Sequence, residues 1–521
     1  MRTSTVQLVA SLTLALFLTV APRLVGENRP EAFAGAGGIG EGQPSCPAEF
    51  QCYTECPAGI PPAGSADTFV AGPGMVTARA FFASTALQFD NEIPLSISGQ
   101  NCGTSGTNGV AGTGPLGVFR FGLVAGGVVD TAGTVTNTAE LFGPLNYGSN
   151  PSSTQPTDLY QSTFVQTSPM IGQRAGHQAT LLSFSFGQGS SAFSITAEAL
   201  ITGGISSVAS RAHAVAALSS SEIFHFCASW PASTSTCPGT SVNMPAIGQF
   251  VAGAKMKQPR VFHQSTLLPN GEVLITGGLS SSGQVLASAE LYNPGKGTFT
   301  LTKSMKKARY GHTATLLNDG TVLIAGGESK YTGTLGFSGS SAVNDAEIYN
   351  PATQTFKKVG PMKVARVAHT ASRIPNSNNV LIAGGITPAG ISNTAELYVP
   401  GSGFSIVGDM TTPRALHAAA SIPGPTVGGP GEILVAGGVN SAGTVLQTAE
   451  RFNPQTSNFV LTQGSMSTGR RALTAGSDVP IEFTDMVVFA GGDSGVGTPP
   501  LNTTDIYLPS LPSPTPSPTP P

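Results

Sequence analysis

Seven times along this chain a pair of adjacent glycines closes a short apolar run, at Gly126-Gly127, Gly203-Gly204, Gly277-Gly278, Gly326-Gly327, Gly384-Gly385, Gly437-Gly438 and Gly491-Gly492. Self-similarity of this kind constrains the fold more than any local motif, because each copy is one supersecondary unit that must cover its faces with its neighbours. Three further markers keep the same beat. Eleven to twenty residues after each doublet comes an acidic residue, one intervening residue and an aromatic: Glu140/Phe142, Glu222/Phe224, Glu290/Tyr292, Glu347/Tyr349, Glu396/Tyr398, Glu450/Phe452 and Asp505/Tyr507. Met is followed four residues later by Arg at Met75/Arg79, Met170/Arg174, Met256/Arg260, Met305/Arg309, Met362/Arg366, Met410/Arg414 and Met466/Arg470. A Phe precedes each Met by six or seven positions, at Phe69, Phe164, Phe250, Phe299, Phe356, Phe404 and Phe459.

Within a clean copy the pattern is that of strands. Residues 312–317 and 321–325 are two β runs around Asn318-Asp319-Gly320, a hairpin signature, and 346–349 and 355–359 add two short strands around the turn pair Asn350-Pro351. Each copy is therefore expected to form a four-stranded antiparallel sheet. One such sheet cannot cover both of its faces, so the copies must stack, and a closed ring of seven leaves only short edges. The glycine pairs mark places where backbones approach too closely for a side chain.

On these residues the chain resembles the kelch-repeat β-propellers, and its propeller is similar to that of the galactose oxidase family. The fold class expected is all-β, a seven-bladed propeller over residues 67–508. The order of the markers predicts how the ring closes. The seventh copy ends at Leu508-Pro509 without its Thr-Phe strand, whereas Thr68-Phe69-Val70 precedes the first copy without a blade of its own. The N-terminal segment is expected to supply the outer strand of the last blade, with Phe69 buried.

Outside the ring, residues 1–26 have the form of a secretory signal: Arg2, an apolar run from Val6 to Val20, then Pro22 and Gly26. The run is too short for a membrane span, which needs about 20 apolar residues, and no later segment reaches that length. The cleavage point is open between Gly26 and the Ala32-Phe33-Ala34 pattern. The expected location is secreted, periplasmic or cell surface, with no membrane span after signal removal. Residues 27–66 form a lead-in rich in Gly and Pro, and 509–521 a proline-rich extended tail. Six cysteines suit an oxidising compartment, and none has metal-ligand spacing. Cys227 and Cys237, which flank one loop around Trp230, are the best single disulfide pair, and Cys46, Cys52, Cys56 and Cys102 allow three further pairings.

Composition narrows the function classes. Charged residues are 10% of the chain and the net charge is −3, so the 25 Lys and Arg spread over the length give no basic field for nucleic acid. The 40% of hydrophobic residues is ample for a core. The seven arginines, Arg79, Arg174, Arg260, Arg309, Arg366, Arg414 and Arg470, fall at the start of each innermost strand, on the face that also carries the loops between second and third strands. They can be read as a binding ring for an acidic group, since guanidinium grips carboxylates bidentately, and in the kelch adaptors of ubiquitin ligases arginines at similar positions hold an acidic peptide. They can equally be read as lattice ion pairs, one Arg and one acid per repeat, and the one-to-one count favours the lattice. Five histidines three residues after Arg, at 177, 263, 312, 369 and 417, with Phe82 and Leu473 in the remaining copies, are read as packing residues rather than metal ligands. The insertion at 328–345, with Lys330, Tyr331 and Phe337, and that at 205–220, with Arg211 and His213, lengthen loops on the Arg face, where binding residues tend to concentrate. Insertions at 88–118 and 225–245 are expected on the opposite face.

The galactose oxidase family uses a Tyr-His neighbour pair, a further His and a Tyr crosslinked to Cys, and no Tyr in this chain is followed by His. No catalytic residue, cofactor or metal ligand is therefore assigned. The expected function is that of an exported, noncatalytic, monomeric propeller that binds a protein or glycan through the Arg-bearing face, with Lys330 and Tyr331 added to the arginines as candidate contacts. The alternative is a secreted carbohydrate-active enzyme of oxidase or lyase type with its site at the central mouth.

Overall fold

The computed structural model of the protein describes residues 67–86, 122–143, 163–188, 193–208, 215–230, 248–422, 431–472, 474–481 and 484–509. The signal, the lead-in with its three cysteines, Cys102, Cys237 and the proline-rich tail beyond Pro509 lie outside the described residues. So do 88–118 and 209–214, and with them Arg211 and His213.

Seven four-stranded antiparallel sheets stand around one axis, and they are the seven repeats. Blade 4 shows the pattern: Thr313–Leu316 lies innermost, followed outward by Val322–Ala325, Ala346–Asn350 and Thr355–Val359. The inner two strands are buried along their whole length because neighbouring blades cover both faces, whereas only Phe356 of the outer strand is well buried. The cores are accordingly inter-blade layers, such as the one that joins Leu274, Leu291 and Met305 to Ala314, Ile324 and Tyr349.

Blade 7 is completed by the chain's front end. Thr68–Ala71 pairs antiparallel with Thr504–Leu508, matching Thr68 to Leu508 and Phe69 to Tyr507. In every blade the repeat's Phe faces the aromatic of the acidic motif across strands three and four, with ring centroids 4.7–5.1 Å apart. The Phe69–Tyr507 pair, at 5.1 Å, is the seventh member of that set, made by the two ends of the chain. Phe69 is half-buried rather than buried, and it packs on the core layer shared by blades 6 and 7, with Tyr507 and Phe489 as its ring partners. A contact that no sequence marker announced adds to the clasp. Asp67 accepts the Tyr507 hydroxyl at 2.5 Å and the Arg451 guanidinium at 3.1 Å, and Arg451 also reaches Glu432 at 2.7 Å, so the N-terminal strand is tied to blades 6 and 7 together.

Blade 2 departs from the others. Its three inner strands run over Gln178–Gln188, Phe193–Thr202 and Ser221–Trp230, about twice the usual length. Residues 225–230, expected as part of a loop insertion, instead continue the third strand, in register with Phe193–Glu198. Cys227 therefore sits within a strand and is 1% exposed, and no described cysteine is free.

Candidate functional site

The four sequence markers meet at one structural node, repeated seven times. Gly277 and Gly278 end the second strand of blade 3 with φ of +59° and +98°, a backbone region that favours glycine. A Cβ on Gly277 would lie 2.4 Å from the Arg309 carbonyl oxygen and 2.8 Å from the His312 ring, so the residues opening blade 4 press directly onto the doublet. The terminal carbon of Met305 fills the remaining gap, 3.1 Å from the same point. Each Met is at most 4% exposed, so this flexible side chain acts as the filler between blades.

All seven arginines sit in this node, and none is more than 1% exposed. Arg309 donates from Nη1 to the carbonyls of Gly326 and Asp345, at 2.8 and 2.9 Å, and from Nη2 to Glu347 at 3.0 Å. The Glu347 carboxylate also accepts the backbone N–H groups of Lys306 and Lys307, at 2.7 and 3.1 Å. Arg79–Glu140, Arg174–Glu222, Arg260–Glu290, Arg366–Glu396, Arg414–Glu450 and Arg470–Asp505 repeat the pair at 2.6–2.9 Å. Burial pulls each arginine below its ordinary pKa and the partner carboxylate pulls it back. An unpaired ion in this setting would be strongly destabilising, and charge balance with near-complete hydrogen bonding is what makes the node tolerable. Of the two readings of the arginines, the geometry supports the lattice. The guanidinium groups point into the blades and are spent on carboxylate and carbonyl partners, so a ligand on this face meets the loops above them.

The histidines complete the node between blades. Nε2 of His263, His312, His369 and His417 faces a threonine hydroxyl of the preceding blade, Thr202, Thr276, Thr313 and Thr370, at 2.9–3.1 Å. In blades 2 and 3 that threonine ends the second strand, whereas in blades 4 and 5 it begins the first, and each is the cross-strand neighbour of the position it replaces. His177 breaks the pattern. Blade 1 carries alanine on both sides, Ala83 opposite Ala125, so His177 faces no threonine hydroxyl; neither ring nitrogen has a well-formed hydrogen bond, and a weak one to the Ala125 backbone is what remains to it. Burial first, and the neighbouring arginines second, hold all five imidazoles below the ordinary histidine pKa, His417 at about 3, so each is neutral. Each ring sits in its own inter-blade slot, and no group of three or more potential ligands converges among the described residues.

The central mouth is built by the residue two positions after each Arg. Phe81, Gly176, Phe262, Gly311, Ala368, Leu416 and Ala472 all have φ between +52° and +63°. For the five that are not glycine this is a strained conformation, held by its surroundings. A belt of backbone hydrogen bonds supplies them: Gly176 donates to Phe81, Phe262 to Gly176 and Gly311 to Phe262, and on the far side Leu416 to Ala368 and Ala472 to Leu416, at 3.0–3.3 Å. Over this belt lies the blade 4 insertion. Phe337 rests against Gly311, where a Cβ would come within 2.2 Å of its ring. Its centroid is 5.3 Å from Phe262 and 5.7 Å from Tyr310. Phe337 packs on the cluster that joins blades 1, 2, 3, 4 and 7 and also on the one that joins blades 5 and 6, so a single ring plugs the axis.

Beneath the plug, Tyr310 donates to Glu328 at 2.7 Å, and Ser338 donates to the same carboxylate at 2.8 Å. Burial, reinforced by Glu328, pushes the Tyr310 phenol well above its ordinary pKa. In blade 7 the equivalent inner pair is Arg471 with Asp493, at 2.7 Å. Lys330 is exposed at the rim of the insertion, and Tyr331 packs on the apolar cluster of the mouth with its hydroxyl buried. The two candidates from this loop are thus separated, one facing solvent and the other the apolar mouth.

A ring of seven four-stranded blades, closed by the strand Thr68–Ala71, defines a seven-bladed β-propeller. No sequence-family model matches the chain, and no curated protein matches it. Solved structures of similar fold include YjhT, 10% identical, with 75% of this chain and 99% of that one covered at a TM-score of 0.44. Another is a copper-bound fungal alcohol oxidase of the AA5 family, 14% identical, with 86% and 76% covered at a TM-score of 0.49. Identity at this level is a likeness of fold alone.

Proposed function

We propose that this protein is a noncatalytic binding propeller that recognises a protein or a glycan through the loops of its Arg-bearing face. The observation that carries the reading is the Phe337 plug. An aromatic side chain, backed by Phe262 and Tyr310, occupies the axis where a propeller enzyme of the alternative, oxidase or lyase type would seat its substrate. Binding is then left to the outward surface of loops held by a rigid lattice, a common division of labour between scaffold and site. The exported, monomeric state belongs to the same proposal, as does the Cys227–Cys237 disulfide.

A glycan and peptide array on the purified propeller, with metal analysis of the same sample, tests the reading. Saturable binding by protein without bound copper or calcium is the expected result. Bound copper or calcium accompanied by turnover of a carbohydrate would overturn it in favour of the enzyme.

A further inference from the structure

The 25 basic residues are less evenly spread than their count suggests. All ten lysines fall between Lys255 and Lys363, in blades 3 and 4 and the loops that flank them, and none occurs elsewhere in the chain. Lys255, Lys257, Lys303, Lys306, Lys330, Lys357, Lys358 and Lys363 are exposed, and Lys307 is half-exposed. The acidic residues of this sector do not offset them on the Arg-bearing face. Glu290, Glu328 and Glu347 are buried and spent on Arg260, Tyr310 and Arg309, while Glu272 and Asp319 lie at hairpin turns of the opposite face. Asp345 alone is accessible, and it is held by Lys358 at 3.4 Å.

The lattice fixes where these charges stand. The residue after the Met of each repeat donates its backbone N–H to the buried carboxylate of that node, at 2.6–2.8 Å in all seven copies. Its side chain therefore projects from a rigid backbone at an equivalent point of each blade. Around the ring this position reads Val76, Ile171, Lys257, Lys306, Lys363, Thr411 and Ser467. Three consecutive blades thus present an ammonium group at equivalent points of an arc, and the other four present none.

From this arrangement we infer that the arc Lys257–Lys306–Lys363, flanked by Lys255, Lys303 and Lys330, is a docking track for a linear anionic polysaccharide bearing carboxylate or sulfate groups. The inference rests on the binding reading above and names its ligand. An arc of point charges outside the plugged mouth fits an extended chain with repeated charges rather than a compact anion. Ammonium groups on flexible stems suit hydrated, regularly spaced anions, without the fork geometry that guanidinium would impose. Single-stranded nucleic acid fits less well, since it needs aromatic platforms. The aromatics of this sector are turned inward: Tyr292, Phe299, Tyr310, Tyr349 and Phe356 are buried, and Tyr331 and Phe337 pack on the apolar cluster of the mouth.

The test is titration of the full chain with polygalacturonate and with heparin, against neutral dextran, polyglutamate and single-stranded DNA of matched charge. Expected is binding of at least one anionic glycan, none of dextran, weakening as salt rises, and a loss of tenfold or more in the triple variant Lys257→Gln, Lys306→Gln, Lys363→Gln. The pair Lys255→Gln, Lys303→Gln should lose affinity more modestly and provides a second variant should the triple melt early, while Lys296→Gln on the opposite face should change nothing. Affinity within twofold of the parent in both multiple variants overturns the track, and so does tighter binding of polyglutamate or DNA than of either glycan. A parent that ignores both glycans but holds a peptide on the array removes this inference and leaves the binding reading intact. Copper-dependent turnover removes that reading itself.

Discussion

The junction between blades 3 and 4 and the junction between blades 1 and 2 are built from the same parts, yet one is complete and the other is not. In the first, His312 Nε2 meets Thr276 at 2.9 Å, whereas in the second, His177 meets the paired alanines Ala83 and Ala125 and its Nε2 has no hydroxyl partner. Both keep the Arg–acid pair, the Met filler and the collision-tight glycines. The difference teaches which elements of the repeat cannot drift. Charge neutralisation of a buried guanidinium is kept in every copy, while a neutral imidazole can lose one hydrogen bond at a cost the remaining lattice absorbs. At the sequence position of this histidine the repeats of blades 7 and 1 read Leu473, which lies outside the described residues, and Phe82.

The largest expected effect tests what the two junctions share. Glu347→Gln leaves Arg309 charged, buried and without its counter-ion, and should cost about 3–5 kcal/mol in denaturant unfolding. Glu222→Gln should cost as much at the incomplete junction, and a clear inequality would show that the histidine bond and the ion pair are coupled. Phe69→Ala probes the clasp. It is half-buried, so about 2 kcal/mol is expected rather than the 3–5 of a fully buried ring, and an unchanged melt would sink the closure as a source of stability.

Thr276→Val keeps shape and removes the hydroxyl, converting the complete junction into a copy of the incomplete one. A loss of about 1.5 kcal/mol is expected, in the range for a buried group left without its partner. The acid limb of stability comes next. His312 and His177 are both held neutral in the folded state, their pKa depressed by burial, while the unfolded chain takes up protons below about pH 6.5. Stability present above that pH is therefore lost as the pH falls towards the folded pKa values, at about 1.4 kcal/mol per pH unit for each such histidine. His312→Leu and His177→Leu should each flatten the slope between pH 6.5 and 5 by up to one proton, but only His312→Leu should also lose stability at pH 7.5. The smallest effect is a gain. Ala125→Thr supplies the hydroxyl that blades 2 and 3 carry at that position and should stabilise the protein by about 1 kcal/mol, and an unchanged melt would show that His177 needs no hydroxyl partner.

Much of the architecture was legible from periodicity. The blade number, the strand order and the closure by residues 68–71 all follow from counting markers, since a ring built of equal sheets must account for every strand. The one-to-one ratio of arginines to acids pointed to ion pairs because a buried charge requires a partner. What the markers could not supply was reach. Asp67 and Arg451 stand outside the repeat positions, so nothing in the period announced the contact that ties the clasp to blade 6. The insertion at 328–345 read as an open loop for binding, and the lysines read as a count rather than as a sector. Cys227 read as a loop residue because the extension of blade 2 has no counterpart in the other copies.

The sequence alone thus determined a sevenfold sheet lattice, because a repeated unit with two uncovered faces has few ways to bury them. Tertiary structure decided which side chains the lattice consumes and which it presents: seven arginines vanish into the nodes, Phe337 folds back to seal the axis, and three lysines stand outward on adjacent blades. Those outcomes depend on where each loop returns in space, and a chain of residue letters carries period and charge but not the direction in which a loop folds.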